Sequence, residues 1–401
     1  MTPTTPMTPT TPTTTTALPA SVLSRPGRGL VKTAVAAGLL TAMLAFAGLA
    51  YRATTVSTDP SQQGVPYSPG FRGVGSGPGA MLNAHDGQAF GSLALDPLLS
   101  RPTEWGGGRA EMAYRAARPL LGWLVMLTSF GSATAAGWGL LAWTAIGIGV
   151  MAAGALVLAD HWGRQGDWVP LLLLLPGVVG QIMFGGLSDA LATGLALFGL
   201  AWWLKGRDRL AIVVLCLAAL CRETTLLVTL ALFLSLFVAG DRRRAMRLLI
   251  PFAAYVGWIG VVWLRVGALP NDAPQGRISV PPGNYMAVVG SWSWVEVASA
   301  AIIAVLAIVA WRRAPCRDVR LLVVLSALFA ATFSPAVLRS WDFARPLLPV
   351  TVVGACLLGR RIVDSAPRSH PPGTVEGEAG PLPPAAAPAP AISVPGAATV
   401  S

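Results

Sequence analysis

The chain has 401 residues, 54% of them hydrophobic and only 12% charged, with a formal net charge of +11 and a mean hydropathy of +0.61. Soluble domains carry roughly 25% charged residues, so a water-facing fold is excluded. The basic residues fall in short clusters between apolar runs rather than on one contiguous face. That pattern excludes a nucleic-acid surface and reads as membrane sidedness.

Residues 1–29 are Thr/Pro-rich, with repeated Met-Thr-Pro and Thr-Pro units. Such a composition buries too little apolar surface to offset chain ordering, so a disordered cytoplasmic tail is expected. Arg25, Arg28 and Lys32 then precede an apolar run from Thr33 to Tyr51, close to the roughly 20 residues that cross a bilayer. The apolar region of a cleaved signal peptide is shorter and its basic flank earlier. The run is therefore read as a first span entering from the cytoplasm.

Residues 52–117 are polar and rich in Gly and Pro, and are expected as a long first extracytoplasmic loop. Pro119–Phe130 is apolar but too short to cross unaided, and counting it as a crossing would invert everything after it. It is predicted as an interfacial or re-entrant helix carried by that loop.

Further spans are predicted at 137–159, 168–185, 188–204, 209–221, 223–239, 247–266, 294–311, 319–338 and 344–359. With the first, they make an all-α integral membrane domain of about ten transmembrane helices over residues 30–361. This parity puts Arg164, Lys205, Arg207, Arg209, Arg242, Arg243, Arg244, Arg247, Arg312, Arg313, Arg317, Arg320, Arg360 and Arg361 in the cytoplasm, as the positive-inside bias asks. Some runs, 209–221 above all, are shorter than a crossing, as helices broken near a buried site would be. Pro170, Pro176, Pro251, Pro335 and Pro346 lie near or inside run ends, where neighbouring helices can satisfy the freed carbonyls. Residues 362–401 are Ala/Pro-rich and expected to be a second disordered cytoplasmic tail. The expected location is the inner or plasma membrane, multi-pass, with both termini cytoplasmic.

Of the cysteines, Cys216, Cys221 and Cys356 fall in or beside apolar runs and Cys316 in a basic loop. No two have a metal-type spacing, so small membrane-core residues are expected.

Charges are costly at bilayer depth, which makes those in outward-facing positions the candidate site. They are Asp86 in the first loop, Asp189 after Gly185-Gly186-Leu187-Ser188, Arg222 and Glu223 between two apolar runs, and Arg339, Asp342 and Arg345 in the last outer turn. Each has a plainer reading beside the functional one. Arg222 and Glu223 suit a buried ion pair that fixes packing. Asp189 or Ser188 suits a helix N-cap, and Asp86-Gly87 a turn. His85 is read as a loop residue with no catalytic role.

The run His85-Asp86-Gly87-Gln88-Ala89-Phe90-Gly91, continuing to Asp96-Pro97 and followed by Tyr114-Arg115-Ala116-Ala117-Arg118-Pro119, resembles the first-loop signature of bacterial membrane proteins linked to cell-surface glycopolymers. These are similar to members of the GT-C glycosyltransferase superfamily. The resemblance extends to Gly186-Leu187-Ser188-Asp189 and to Cys221-Arg222-Glu223-Thr224, and covers about residues 30–360. Ala89 and Gly91 replace the usual aromatics, and Arg222 replaces the usual Lys.

The resemblance implies a membrane transferase that takes a sugar from a polyprenyl-phosphate donor and delivers it to a glycan or lipid acceptor of the cell envelope. Asp86 would be its general base, with Gln88 in the same motif binding substrate. A base must reach the acceptor hydroxyl, and the departing phosphate needs fixed cations, for which Arg222, Arg339 and Arg345 are suited. Tyr114, Arg115 and Arg118 would hold the acceptor or the lipid headgroup. Asp189, Glu223 and Asp342 would orient the arginines or bind a divalent cation, alternatives the sequence leaves open. No Gly-rich nucleotide loop is present, in keeping with a lipid-borne donor. The rivals are a transporter or flippase for a lipid-linked sugar, which would show repeats and charges along a whole path, and a non-catalytic envelope-assembly protein.

Overall fold

The computed structural model describes residues 28–56, 76–83, 86–101, 108–272, 288–338 and 341–361. The expected tails, apart from the first residues of the opening helix, lie outside the described residues, as do His85 and Arg339. Among the described residues the regular structure is helical, and an isolated antiparallel bridge joins Arg164 to Arg361.

The chain opens with α1 (Arg28–Thr55), followed by α2 (Gly77–Asn83), α3 (Gly87–Leu95), α4 (Arg109–Ala116), α5 (Pro119–Ser129) and α6 (Ala133–His161). A 3-10 turn at Val169–Leu174 leads into α7 (Pro176–Phe184), α8 (Asp189–Leu204) and α9 (Asp208–Cys221). After a 3-10 turn at Glu223–Thr225 come α10 (Leu226–Val238), α11 (Arg242–Arg247) and α12 (Leu249–Val266). The last part holds α13 (Trp294–Arg312), α14 (Arg317–Ala331), α15 (Pro335–Leu338), a 3-10 turn at Trp341–Ala344 and α16 (Leu348–Leu358).

Among the described residues, four helical stretches are long and apolar enough to cross a membrane: α1 from Gly29, α6, α11 with α12, and α13. The other apolar helices are shorter. In α6, 67% of the most apolar window is buried, against 28% in α1 and 22% in α13, so α6 is central and the other two are peripheral. Leu39, Leu40 and Met43 on α1, and Val305 and Ile308 on α13, face outward. Helices apolar on both their inner and outer faces belong in lipid, and the chain is a membrane protein.

Close packing around α6 depends on small residues. A Cβ on Gly149 would lie 2.4 Å from the carbonyl oxygen of Gly38, so α1 and α6 cross with their backbones nearly touching. Between apolar helices in lipid, such close approach is the main source of attraction.

Three expectations need correction. The run 168–185 is not one helix: Leu175 is extended (ψ 134°) before Pro176, which starts α7, because proline disfavours the helical conformation of its predecessor. The run 319–338 likewise ends as α14 at Ala331 and resumes at Pro335. The stretch 52–117, expected as a polar loop, contains α2, α3 and α4 among its described residues. Leu82, Phe90 and Leu93 of this stretch are buried in the main core. Short helices of seven to nine residues escape notice in a Gly/Pro-rich composition.

Candidate functional site

The short helices converge at one end, and their ends carry the charges. Asp86 precedes α3, Arg115 closes α4, and Arg118 precedes α5; Asp189 opens α8, Arg222 and Glu223 lie between α9 and α10, and Asp342 and Arg345 lie just before α16. Thr144, midway along α6, has its hydroxyl 3.5 Å from the Leu187 carbonyl. The helix from Ala133 to Thr144 therefore rises about 17 Å past the level of Leu187, two residues before Asp189, at 1.5 Å per residue. The cluster is recessed beneath the N-terminal end of α6.

Arg345 is its hub. Its Nε donates to Asp189 Oδ2 at 3.0 Å, its Nη1 to Asp342 Oδ1 at 3.1 Å and its Nη2 to Asp86 Oδ2 at 3.1 Å. One planar guanidinium thus joins three carboxylates from three parts of the chain, a fork geometry that lysine cannot supply. The other oxygen of Asp86 accepts from Arg115 Nη1, and Arg115 Nε donates to Glu111 at 2.8 Å.

Asp189 is 1% exposed and lies between two cations, because Arg222 Nε sits 2.7 Å from its Oδ1. That contact is ionic without a well-aimed hydrogen bond, and Arg222 Nη1 and the Ser188 hydroxyl are buried without a hydrogen-bond partner among the described residues. Arg118 grips Glu223 in bidentate fashion at 2.7 and 2.6 Å. It also donates to the Tyr114 hydroxyl at 2.9 Å, with its guanidinium 4.8 Å from the centre of the Tyr114 ring.

Two of the plainer readings change. Arg222 and Glu223 do not pair with each other; each is bound to a different partner. Arg222 is extended (φ −159°, ψ 126°), so successive side chains there diverge. Asp189 does not cap α8 and Ser188 makes no capping bond; instead the Ala190 amide donates to Gln181 Oε1 at 2.9 Å. Gln88 is half-buried in the first turn of α3.

Gly186 permits the convergence. Its φ is +59°, and a Cβ there would lie 2.9 Å from the Gly87 Cα and 2.4 Å from a Leu82 methyl. The turn before α8 thus lies directly against the start of α3, which sets Asp86 within reach of Arg345 and its neighbour Asp189.

Glu111 and Gln181 were not anticipated. Glu111 stands four residues before Arg115, a readable helical ion-pair spacing. Gln181 is a lone polar residue in an apolar run, fully buried and so in need of a partner.

Phe343 and Leu347 flank Arg345 in sequence and line an apolar cavity of about 320 Å³ together with Trp292, Ile303, Phe333 and Val350. Among the described residues no group of three or more His, Cys, Asp or Glu side chains is placed to hold a metal ion. Comparison with protein-family models, curated proteins and solved structures finds no match to this chain.

Proposed function

We propose that this protein is a membrane glycosyltransferase of the GT-C type, moving a sugar from a polyprenyl-phosphate donor to a glycan or lipid acceptor of the cell envelope. Transfer takes place on the extracytoplasmic face of the inner or plasma membrane, with about ten crossings and both termini cytoplasmic. The observation that carries the reading is the recessed cluster in which Asp86, Asp189, Arg222 and Arg345 meet, beside an apolar cavity suited to a hydrocarbon chain. Ionisable groups at such depth mark substrate paths more often than packing devices.

In this mechanism the acceptor hydroxyl oxygen attacks the anomeric carbon as the bond from that carbon to the phosphate oxygen breaks. The hydroxyl proton passes to Asp86, and the polyprenyl phosphate leaves as an anion facing Arg222 and Arg345. Arg118, held by Glu223 and Tyr114, and Gln88 position the acceptor. Arg339 is a further phosphate ligand in this reading.

One observation favours the non-catalytic rival: both oxygens of Asp86 are occupied by guanidinium groups, as in an ion-pair clamp. The flippase reading gains no comparable support, since the charges gather at one end of the bundle. Lipid analysis of a deletion strain separates the readings. A transferase leaves its polyprenyl-phosphate sugar accumulated on the outer leaflet, and a flippase leaves it on the inner; an unchanged lipid profile counts against both.

A further inference from the structure

Accepting the transferase reading, the base is restrained as it stands. Of the roughly four lone-pair sites of a carboxylate, one on each Asp86 oxygen is taken, by Arg115 on Oδ1 and by Arg345 on Oδ2, and the two guanidinium charges oppose the arrival of a proton. Arg118 is committed to Glu223, and Arg115 also holds Glu111. Arg222 differs: it is 7% exposed, and its Nη1 has no partner among the described residues. A buried guanidinium with an idle N–H is costly unless something arrives to accept it.

We infer that a phosphate-type anion binding at Arg222 draws the Nη2 of Arg345 away from Asp86, so that Asp86 becomes a base only once the anion is in place. Arg222 and Arg345 bracket the two oxygens of the same Asp189 carboxylate, at 2.7 and 3.0 Å. An anion on Arg222 therefore arrives beside Arg345. Arg345 stays anchored through Nε to Asp189 and Nη1 to Asp342, so only Nη2 changes acceptor and no donor is left unsatisfied. Asp86 keeps Arg115 on Oδ1 and its Oδ2 is relieved of a guanidinium charge. The consequence is ordered binding, with the donor lipid first and the acceptor hydroxyl activated second.

The coupling is reciprocal, which gives two independent readouts on the full chain in nanodiscs. The probes are a sugar-free polyprenyl monophosphate, inorganic phosphate and neutral polyprenol. Modification of Asp86 by a carbodiimide and an amine tag, followed by mass spectrometry, should rise about fivefold or more with the polyprenyl phosphate and not with polyprenol. The same rise with inorganic phosphate at equal concentration would support the switch and assign it to free phosphate.

Asp86→Asn should bind the polyprenyl phosphate about fivefold more tightly, because Arg345 is no longer held back. Arg345→Gln should show high Asp86 modification without any ligand. Should the phosphate lipid bind the wild type while Asp86 modification and the Asp86→Asn affinity stay unchanged, the switch is overturned and the transferase reading survives. Should it fail to bind at all, the anion centre is absent and both readings fall.

Discussion

Asp189 is held between Arg222 and Arg345, and neutralising it leaves two buried guanidinium groups without their shared counter-charge. Removing one partner from such a buried group typically costs about 3–5 kcal/mol. Asp189→Asn is accordingly expected to lower the Tm and the yield of monodisperse protein; a variant with wild-type Tm would show that Asp189 is not held as an ion-pair partner. At this scale the sequence discloses which residues matter, because a charge inside an apolar run stands out. It does not disclose partners. Arg222 and Glu223 invite pairing by adjacency, yet the extended backbone at Arg222 sends one side chain to Asp189 and the other to Arg118. Contacts across 105 or 156 residues, such as Arg118 to Glu223 and Arg345 to Asp189, depend on helix packing that no local pattern encodes.

The short helices are explained by where they stop. α8 has 16 residues and α9 has 14, so each runs about 21–24 Å from the charge cluster to the basic turn at Lys205–Arg209, short of a hydrocarbon core about 30 Å thick. They end at the site instead of passing it. Apolar runs were readable as helices at nearly every predicted position. The breaks at Leu175 and at Thr332–Ser334 were not, although Pro176 and Pro335 follow them, because a proline that ends a helix and one tolerated inside a membrane helix look alike in sequence. The turn before α8 is a sharp test. Gly186→Ala places a Cβ against Gly87 and Leu82 at a positive φ, and a non-glycine residue in that region costs about 1–3 kcal/mol before any clash. The variant should lose Tm and transfer together; wild-type values for both would show that α3 and this turn need not lie so close.

For the whole molecule, the proposed sidedness makes the clearest demand. Asp272 and Asp241 are both exposed, the first in the 267–293 segment and the second in the basic turn before α11. In a chain with its native cysteines replaced, a membrane-impermeant thiol reagent applied outside the cell should label Asp272→Cys and not Asp241→Cys. The opposite pattern would invert the topology and put the charge cluster on the cytoplasmic leaflet. The central place of α6 was not legible, because its apolar length resembles that of α1; only the glycine approach between them, and the burial it permits, sets the two apart. The helices within 52–117 were hidden for the opposite reason, their glycines and prolines reading as loop while their apolar side chains joined the core.

The account turns on Asp86 accepting a proton during sugar transfer. The most direct measurement is transfer by the purified chain from a polyprenyl-phosphate sugar to acceptor, wild type against Asp86→Asn, with folding checked by Tm. A folded Asp86→Asn protein that has lost about 10²–10⁴-fold in rate is the predicted result; a folded variant that transfers at the wild-type rate would contradict it.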